Sequence, residues 1–453
     1  MGDSEEVSRV STCTITPSRA SQEQHLQLSP SEIYLLTAQY IQKGLLLPKP
    51  DPNPKFSSPS MDSVLQRLKA SLSECLSHYF PLAGRLTSHP DGTITIHCND
   101  AGVEFVHAKA IHITLNDILR SPYVPLVVRS FFVHSGAMSH EGRFLPLLAV
   151  QVTELADGLF IGCSFNHVVG DGTSFWNFLN SWSELSKHIN DKGEARTLSR
   201  PPTIRQWCPA TNPPVCLDPP IDSWSLPPKP SPPLFNDRIF YFPAHSISSL
   251  KAKANSQNMD ATSPISSFQA FYAHVWRTIT RAHELPEAQE TWCGLSVSYR
   301  SRVVPPMAPY FFGNVVKPIF LRTTAGELLG RDLGWGAKLI QDAIAKQTNE
   351  EICSWLEANA KAPIVFETTG LTTSPGVLMG SSPRFDVYGN DFGWGPPLGV
   401  RVGYDNRFDG KLFAFPAREG RGGIELHFYM NSNAIAALER DKEFMEAVEE
   451  KTD

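Results

Sequence analysis

Three short segments hold the residues whose types and spacing suit chemistry. The densest is Asn166-His167-Val168-Val169-Gly170-Asp171-Gly172, at the end of an apolar run and just before a helical pattern. A histidine there projects from a rigid element into a turn, and its ordinary pKa near 6.5 suits general-base work at neutral pH. The aspartate four residues on, beyond a glycine that lets the chain curl back, is placed to hold the turn or orient the ring. With 14 histidines in the chain, His-x-x-x-Asp arises by chance about 0.7 times, and requiring the following glycine lowers this to about 0.05. The competing reading is a packing histidine beside a helix-capping aspartate.

The second segment runs from Tyr388 to Pro397, with Gly389, Gly393 and Gly395 interleaved with Phe392 and Trp394. This describes a tight loop pinned by ring burial, and a structural role is its preferred reading. The third is Tyr299-Arg300-Ser301-Arg302, leading to Pro305-Pro306-Met307 and Tyr310-Phe311-Phe312-Gly313-Asn314. Read as a strand, it puts two arginines on one side, which suits a solvated face or a pairing of one of them with a buried carboxylate such as Asp171. Other chemistries lack their residues. There is no Gly-x-Ser-x-Gly elbow, no phosphate-cradling Gly-x-x-x-x-Gly-Lys-Ser/Thr loop and no His-Glu-x-x-His. Asp391-Phe392-Gly393 resembles a kinase magnesium motif but has no His-Arg-Asp upstream. The eight cysteines form no Cys-x-x-Cys pair, so neither a zinc ribbon nor a redox dithiol is indicated, and no metal site is expected.

The elements that must position these residues mix helices and strands, which predicts an α/β (α+β mixed) protein. Helical spacing recurs over 63–78 (Val64, Leu65, Leu68, Leu72, Cys75), 173–187 (Phe175, Phe178, Leu179, Trp182, Leu185) and 263–281 (Phe268, Phe271, Tyr272, Val275, Trp276, Ile279). Strands are expected over 93–97, 145–153 and 159–166, the last two joined through Ala156-Asp157-Gly158 as a hairpin. Paired prolines punctuate 201–237, which disfavours helix and central strand and predicts an extended surface crossover. It divides the chain into an N-terminal lobe, 1–200, and a C-terminal lobe, 238–453.

The chain has 453 residues, 41% hydrophobic and 19% charged, so it can bury a sizeable core, and disordered or fibrous roles are excluded. A net charge of -6 argues against nucleic acid as a partner, while leaving room for a local basic pocket for a small anion. The first residues are acidic and polar rather than signal-like, and no apolar run approaches the roughly 20 residues of a membrane helix. A cytoplasmic protein with reduced thiols and no membrane partner is expected.

The chain resembles the plant BAHD acyltransferases, which move an acyl group from coenzyme A to an alcohol or amine. The resemblance rests on His167-Val168-Val169-Gly170-Asp171-Gly172 together with Asp391-Phe392-Gly393-Trp394-Gly395. It extends through Phe80 to Leu86, Ala273-His274-Val275-Trp276-Arg277 and Gly313-Asn314 along nearly the whole chain. Ile41-Gln42-Lys43-Gly44-Leu45-Leu46 and Ser381-Ser382-Pro383-Arg384-Phe385 resemble a subgroup of largely uncharacterised acetyltransferases and cuticle-related members. The resemblance implies two chloramphenicol-acetyltransferase-like lobes joined by the crossover, with the active-site channel between them. It implies His167 as general base and Asp171 as its signature partner, turned from the channel toward an arginine, Arg300 before Arg302. Asp391, Gly393, Trp394 and Gly395 would support the site, with an oxyanion contact from Trp394 as the weaker alternative. Lys251, Lys253, Ser266 and Ser267 would lie near the coenzyme phosphates, and Arg384 would read an acceptor carboxylate. Acyl-CoA is then a co-substrate with no permanently bound cofactor, the acceptor is a small plant specialised metabolite, and a monomer is expected. Two departures bear on this: Ser298 stands where the family often has Asp or Asn, and Ser382-Pro383 stands where many relatives have a tryptophan before the arginine. The rival readings are lyase or rearrangement chemistry in the same pocket, and a non-catalytic ligand-binding protein.

Overall fold

The strand β8 (Gly158–Phe165) is buried along all eight residues, so its backbone groups have no water and need a partner on each edge. In the computed structural model β7 (Leu148–Leu155) and β3 (Ile41–Pro48) supply them, both antiparallel. The model describes residues 7–50, 60–188, 197–204, 214–224, 235–258, 262–366, 375–404, 407–420 and 422–449. The full sheet runs β1 (Ser8–Ile15), β6 (Val103–Ala110), β7, β8, β3, β13 (Gly399–Val402). A second six-stranded sheet runs β11 (Val316–Thr324), β10 (Glu290–Ser298), β12 (Gly376–Met379), β14 (Lys411–Pro416), β15 (Ile424–Met430), β9 (Asn236–Phe242). A small sheet of β2 (Gln24–Gln27), β5 (Ile94–Cys98) and β4 (Arg85–Ser88) shares the first sheet's core.

The helices cover these sheets with the faces their periodicity predicts. Met61–His78, capped by the Ser60 side chain, buries Val64, Leu65, Leu68 and Leu72. It packs against Gly172–His188, whose Trp182 indole donates to the Leu68 carbonyl at 3.2 Å and the Ser71 hydroxyl at 3.1 Å. Ser267–Ala282 buries Phe271, Tyr272, Val275 and Trp276 in the second sheet's core. It begins at 267 rather than 263 because Ser266 and Gln269 form a capping box there.

Three expectations are corrected. Arg300 and Arg302 are not on a strand: β10 stops at Ser298 and a turn follows, closed by Arg302 N–H donating to the Tyr299 carbonyl. The 201–237 segment does not separate the lobes cleanly, because β13 from the C-terminal side completes the first sheet, Val387, Phe392 and Val400 enter its core, and Phe385 packs against it. The β3 edge needs hydrogen-bond partners, and the apolar stretch after β12 provides them. Within the crossover, 205–213 and 225–234 lie outside the described residues. The described parts are not wholly superficial, since Val215, Leu217 and Ile221 are buried and Leu217 N–H donates to the Gly92 carbonyl.

The sheets are tied by charge as well as by packing. Arg401 on β13 reaches Glu425 on β15 at 3.1 Å, with His427 within 3.1 Å of the same oxygen and all three side chains buried. Among the described residues no helix is long and apolar enough to cross a membrane.

Candidate active site

Strand β8 delivers Asn166 and His167 to the junction between the two sheets, and the turn that follows is braced from several sides. Asn166 donates to the Ser139 carbonyl at 2.7 Å and accepts from Val168 N–H at 3.0 Å. From the other portion of the chain, the Asn314 amide donates to the carbonyls of His167 and Val168 at 2.7 and 2.8 Å. Asp171 N–H donates to the Gly313 carbonyl at 3.3 Å. Two segments nearly 150 residues apart in sequence thus fix one turn.

Asp171 is both a cap and half of a buried ion pair. Its Oδ1 accepts from Ser174 N–H at the start of Gly172–His188, a position where the helix dipole favours a carboxylate. The same carboxylate accepts from Arg300 Nη1 at 2.8 Å and Nη2 at 3.0 Å, and from Val315 N–H at 3.1 Å. Burial alone would raise its pKa, but the Arg300 charge and these hydrogen bonds hold it below the ordinary value. Arg300 also donates to the Ser174 hydroxyl and the Phe311 and Gly313 carbonyls, whereas Arg302 points elsewhere, to the Ile344 and Gln347 carbonyls.

The His167 ring is partly exposed, and its Nδ1 makes no hydrogen bond among the described residues. Burial pushes its pKa down to about 4. Its own carbonyl and Asp171 work against this, and Lys411 and Lys43 add to it. The ring is therefore neutral at physiological pH and free to accept a proton.

The 388–397 loop packs beside this turn's helix rather than on His167. Asp391 Oδ1 accepts from Gly393 and Gly395 N–H at 2.8 and 2.9 Å, and its Oδ2 accepts from Lys187 at 2.7 Å. Gly393 and Gly395 have φ of 111° and 120°, a region that favours glycine. Phe392 is buried edge-on against Trp182, and the partly buried Trp394 ring stacks on Phe392. The Trp394 indole N–H has no partner among the described residues. A polar cleft of about 220 Å³, lined in part by Glu184, Lys187, Arg200, Asp386 and Asp391, contains neither His167 nor Trp394.

The remaining sequence candidates are dispersed. Lys251 and Lys253 are exposed on Ala244–Ser256, with Lys253 already paired to Glu443 at 3.0 Å. The Ser266 side chain is committed to capping, while Ser267 is exposed at that helix's first turn. Arg384 is exposed, its backbone N–H held by the Ser382 hydroxyl. Sequence reasoning did not single out two buried lysines near His167, Lys43 on β3 and Lys411 on β14. The available signal was a lone charge within an otherwise apolar strand, Ile41 to Leu47. It also passed over Glu32, whose carboxyl burial pushes up to about 7, with the nearby Asp171 charge adding. Among the described residues no group of three or more His, Cys, Asp or Glu side chains is arranged to hold a metal ion.

Comparison with known proteins matches residues 5–445 to the Transferase family. An uncharacterized acetyltransferase of Arabidopsis thaliana is 36% identical over 452 residues, 97% of this chain and 99% of the relative. The BAHD acyltransferase DCR of the same plant is 33% identical over 398 residues, 85% of this chain and 81% of the relative. Among solved structures, F. graminearum TRI101 with coenzyme A and T-2 mycotoxin superposes with a TM-score of 0.71 at 16% identity, covering 94% of this chain and 99% of that one.

Proposed function

The chain belongs to the Transferase family, with BAHD acyltransferases among its relatives, and from that premise we propose that it moves an acyl group from an acyl-CoA thioester to a small acceptor. The observation that carries this reading is the placement of His167 at the sheet junction, on a turn braced by the Asp171–Arg300 pair and by Asn314. A thioester is already activated, so the protein needs to supply a base, alignment and a polar environment for the oxyanion. His167 takes the proton from the acceptor hydroxyl or amine as that atom adds to the thioester carbonyl. The tetrahedral oxyanion then collapses, the carbon–sulfur bond breaks, and the proton on His167 passes to the coenzyme thiolate. No acyl-enzyme forms. Asp171 acts through position, holding the loop with Arg300, and Asp391, Gly393, Trp394 and Gly395 support the helix behind it. Trp394 is assigned this supporting role rather than an oxyanion contact, because its loop packs on the helix carrying Trp182 and Lys187.

Acyl-CoA serves as co-substrate, a reading supported by TRI101, a protein of like fold solved with coenzyme A. Lys251 and Ser267, both exposed, are offered to its phosphates, with Lys253 offset by Glu443 and Ser266 occupied in its cap. The acceptor is proposed to be a plant specialised metabolite and the working state a cytoplasmic monomer, with O- and N-transfer both within reach of the same base. The two lobes are proposed to bound a channel with His167 midway, modified by the contribution of β13 to the first lobe.

The experiment is free-thiol release from acetyl-, benzoyl-, hydroxycinnamoyl- and long-chain acyl-CoAs with mixed alcohol and amine acceptors, parent against folded His167→Ala. Mass spectrometry identifies the conjugate. Acceptor-dependent release that disappears in the variant is expected. Its absence from every donor would overturn acyl transfer in favour of lyase or binding roles, and equal release by both proteins would remove His167 from its role.

A further inference from the structure

Four lysines and arginines are fully buried among the described residues: Lys43, Lys317, Arg401 and Lys411. Two of them hold a carboxylate, Lys317 with Glu351 at 2.6 Å and Arg401 with Glu425 at 3.1 Å. Lys43 and Lys411, 2% and 9% exposed, pair with no carboxylate among the described residues. Burying an ammonium without a counter-charge is expensive, so such a pair calls for an explanation.

Their surroundings are apolar. Lys43 Nζ lies 5.7 Å from the ring centres of Phe175, Trp176, Phe385 and Phe415, and its one hydrogen bond among the described residues, to the Ser381 hydroxyl, is long at 3.4 Å. Aromatic faces offset only part of the cost of desolvating a cation. Lys411 Nζ is pressed over the Gly380 backbone, 2.9 Å from where a Cβ would stand, with the Phe413 and Phe408 rings at 5.3 and 5.6 Å. Gly380 and Ser381 are consecutive, so the two ammonium groups flank one bend of chain. They also come from different sheets, Lys43 from β3 and Lys411 from β14. Lys43 stands opposite Cys163 on β8, four residues before His167, and faces Phe175 and Trp176 on the helix that follows the His167 turn, while Lys411 reaches the same bend through Gly380.

We propose that Lys43 and Lys411, with the Ser381 hydroxyl, form an anion site beside His167 that selects a carboxylate on one of the two reacting molecules, the acceptor or the acyl chain. Two lysines without a carboxylate partner in a low-dielectric interior complement an anion, whose charge favours their protonated forms, and disfavour a neutral group of the same shape. The coenzyme phosphates are separated from the thioester by the whole pantetheine arm, so an anion close enough to act on His167 belongs to a reacting group. Arg384, exposed on the same 380–385 segment, stands as the alternative reader of that carboxylate. This inference rests on the acyl-transfer reading for the identity of the ligand, but not for the existence of the site.

The test measures binding first and turnover second. Two matched pairs, 3-hydroxybenzoate against its methyl ester and malonyl-CoA against acetyl-CoA, are titrated by calorimetry into the parent, Lys43→Met, Lys411→Met and Lys43→Arg, each checked for folding by thermal melt. For one pair, the parent is expected to bind the acid at least tenfold tighter than its neutral partner. That ratio should collapse toward one in both methionine variants and recover in Lys43→Arg. The pair showing it identifies whether acceptor or acyl chain carries the anion. Ratios near one for both pairs in the parent, or a ratio that persists in both methionine variants, would overturn the site. Acid-selective binding that depends on the lysines, without thiol release from any donor, would keep the site and remove the acyl-transfer reading. Thiol release without acid selectivity would do the reverse.

Discussion

Replacing Asp171 by asparagine separates a carboxylate that holds the His167 turn from one that takes part in chemistry. The change keeps the side chain's shape and one oxygen, but it turns an acceptor of four hydrogen bonds, two from Arg300 and one each from Ser174 and Val315 N–H, into a group with an amide NH₂ facing donors. Arg300, whose side chain is 17% exposed, is left without its counter-charge. Breaking a buried pair by removing one partner costs about 3–5 kcal/mol. The assay is urea unfolding followed by tryptophan fluorescence, since Trp176 and Trp182 sit on the helix that Asp171 caps, with the slope checked for constancy. Arg300→Met and the double variant complete a cycle. Each single change should cost several kcal/mol and the double little more than either, so the coupling should approach the cost of one single change, about 3 kcal/mol or more. Thiol release should fall along with stability. An Asp171→Asn protein that loses activity while losing under about 1 kcal/mol of stability, below the range for a broken buried pair, would refute the positional role. So would a cycle in which the two costs simply add.

Three further outcomes follow from the same structure. Because burial first, then Lys411 and Lys43, depress His167 to about 4, the base form is present above that pH, and kcat/KM for thiol release should fall only as pH drops through about 4. An acid limb centred near 6.5 would contradict this. Burial, then Lys411, lowers Lys43 from its ordinary 10.5 to about 7. At about 1.4 kcal/mol per tenfold in proton affinity, Lys43→Met should therefore stabilise the fold by about 3–5 kcal/mol below pH 7. The unfolded chain binds more protons between about 7 and 10.5, so the parent gains stability across that window and the variant's advantage should shrink there. Unfolding midpoints at pH 6 and pH 9 check both parts, and a destabilised variant at pH 6 would sink the argument. Gly395→Ala should cost about 1–3 kcal/mol from backbone conformation alone. At φ 120° an L side chain is strained, although its Cβ would meet only Pro48 at 3.6 Å. A neutral thermal shift would rule this out.

Local interactions explain what could be read without coordinates. The helices Met61–His78 and Gly172–His188 and the hairpin of β7 and β8 follow from periodicities and turn residues that act within a few neighbours. The His167 turn was visible for the same reason, since strand, glycine and capping aspartate lie within seven residues. The neighbours of a mostly apolar strand were not legible. β3 and β13 join across more than 350 residues because each needs an edge partner, which no local pattern names.

The sequence by itself determined which residues could do chemistry, the mixed α/β class and the existence of a histidine-bearing turn, because each depends on residue type and short-range spacing. Only the tertiary structure decided that Arg300, 129 residues away, pairs with Asp171 while Arg302 does not. It also decided that Asp391 is answered by Lys187, and that Lys43 and Lys411, which pair with no carboxylate among the described residues, converge on the Gly380–Ser381 bend from separate sheets. Burial sets the strength of an electrostatic interaction and the desolvation cost it must offset, and burial depends on which distant segments pack together.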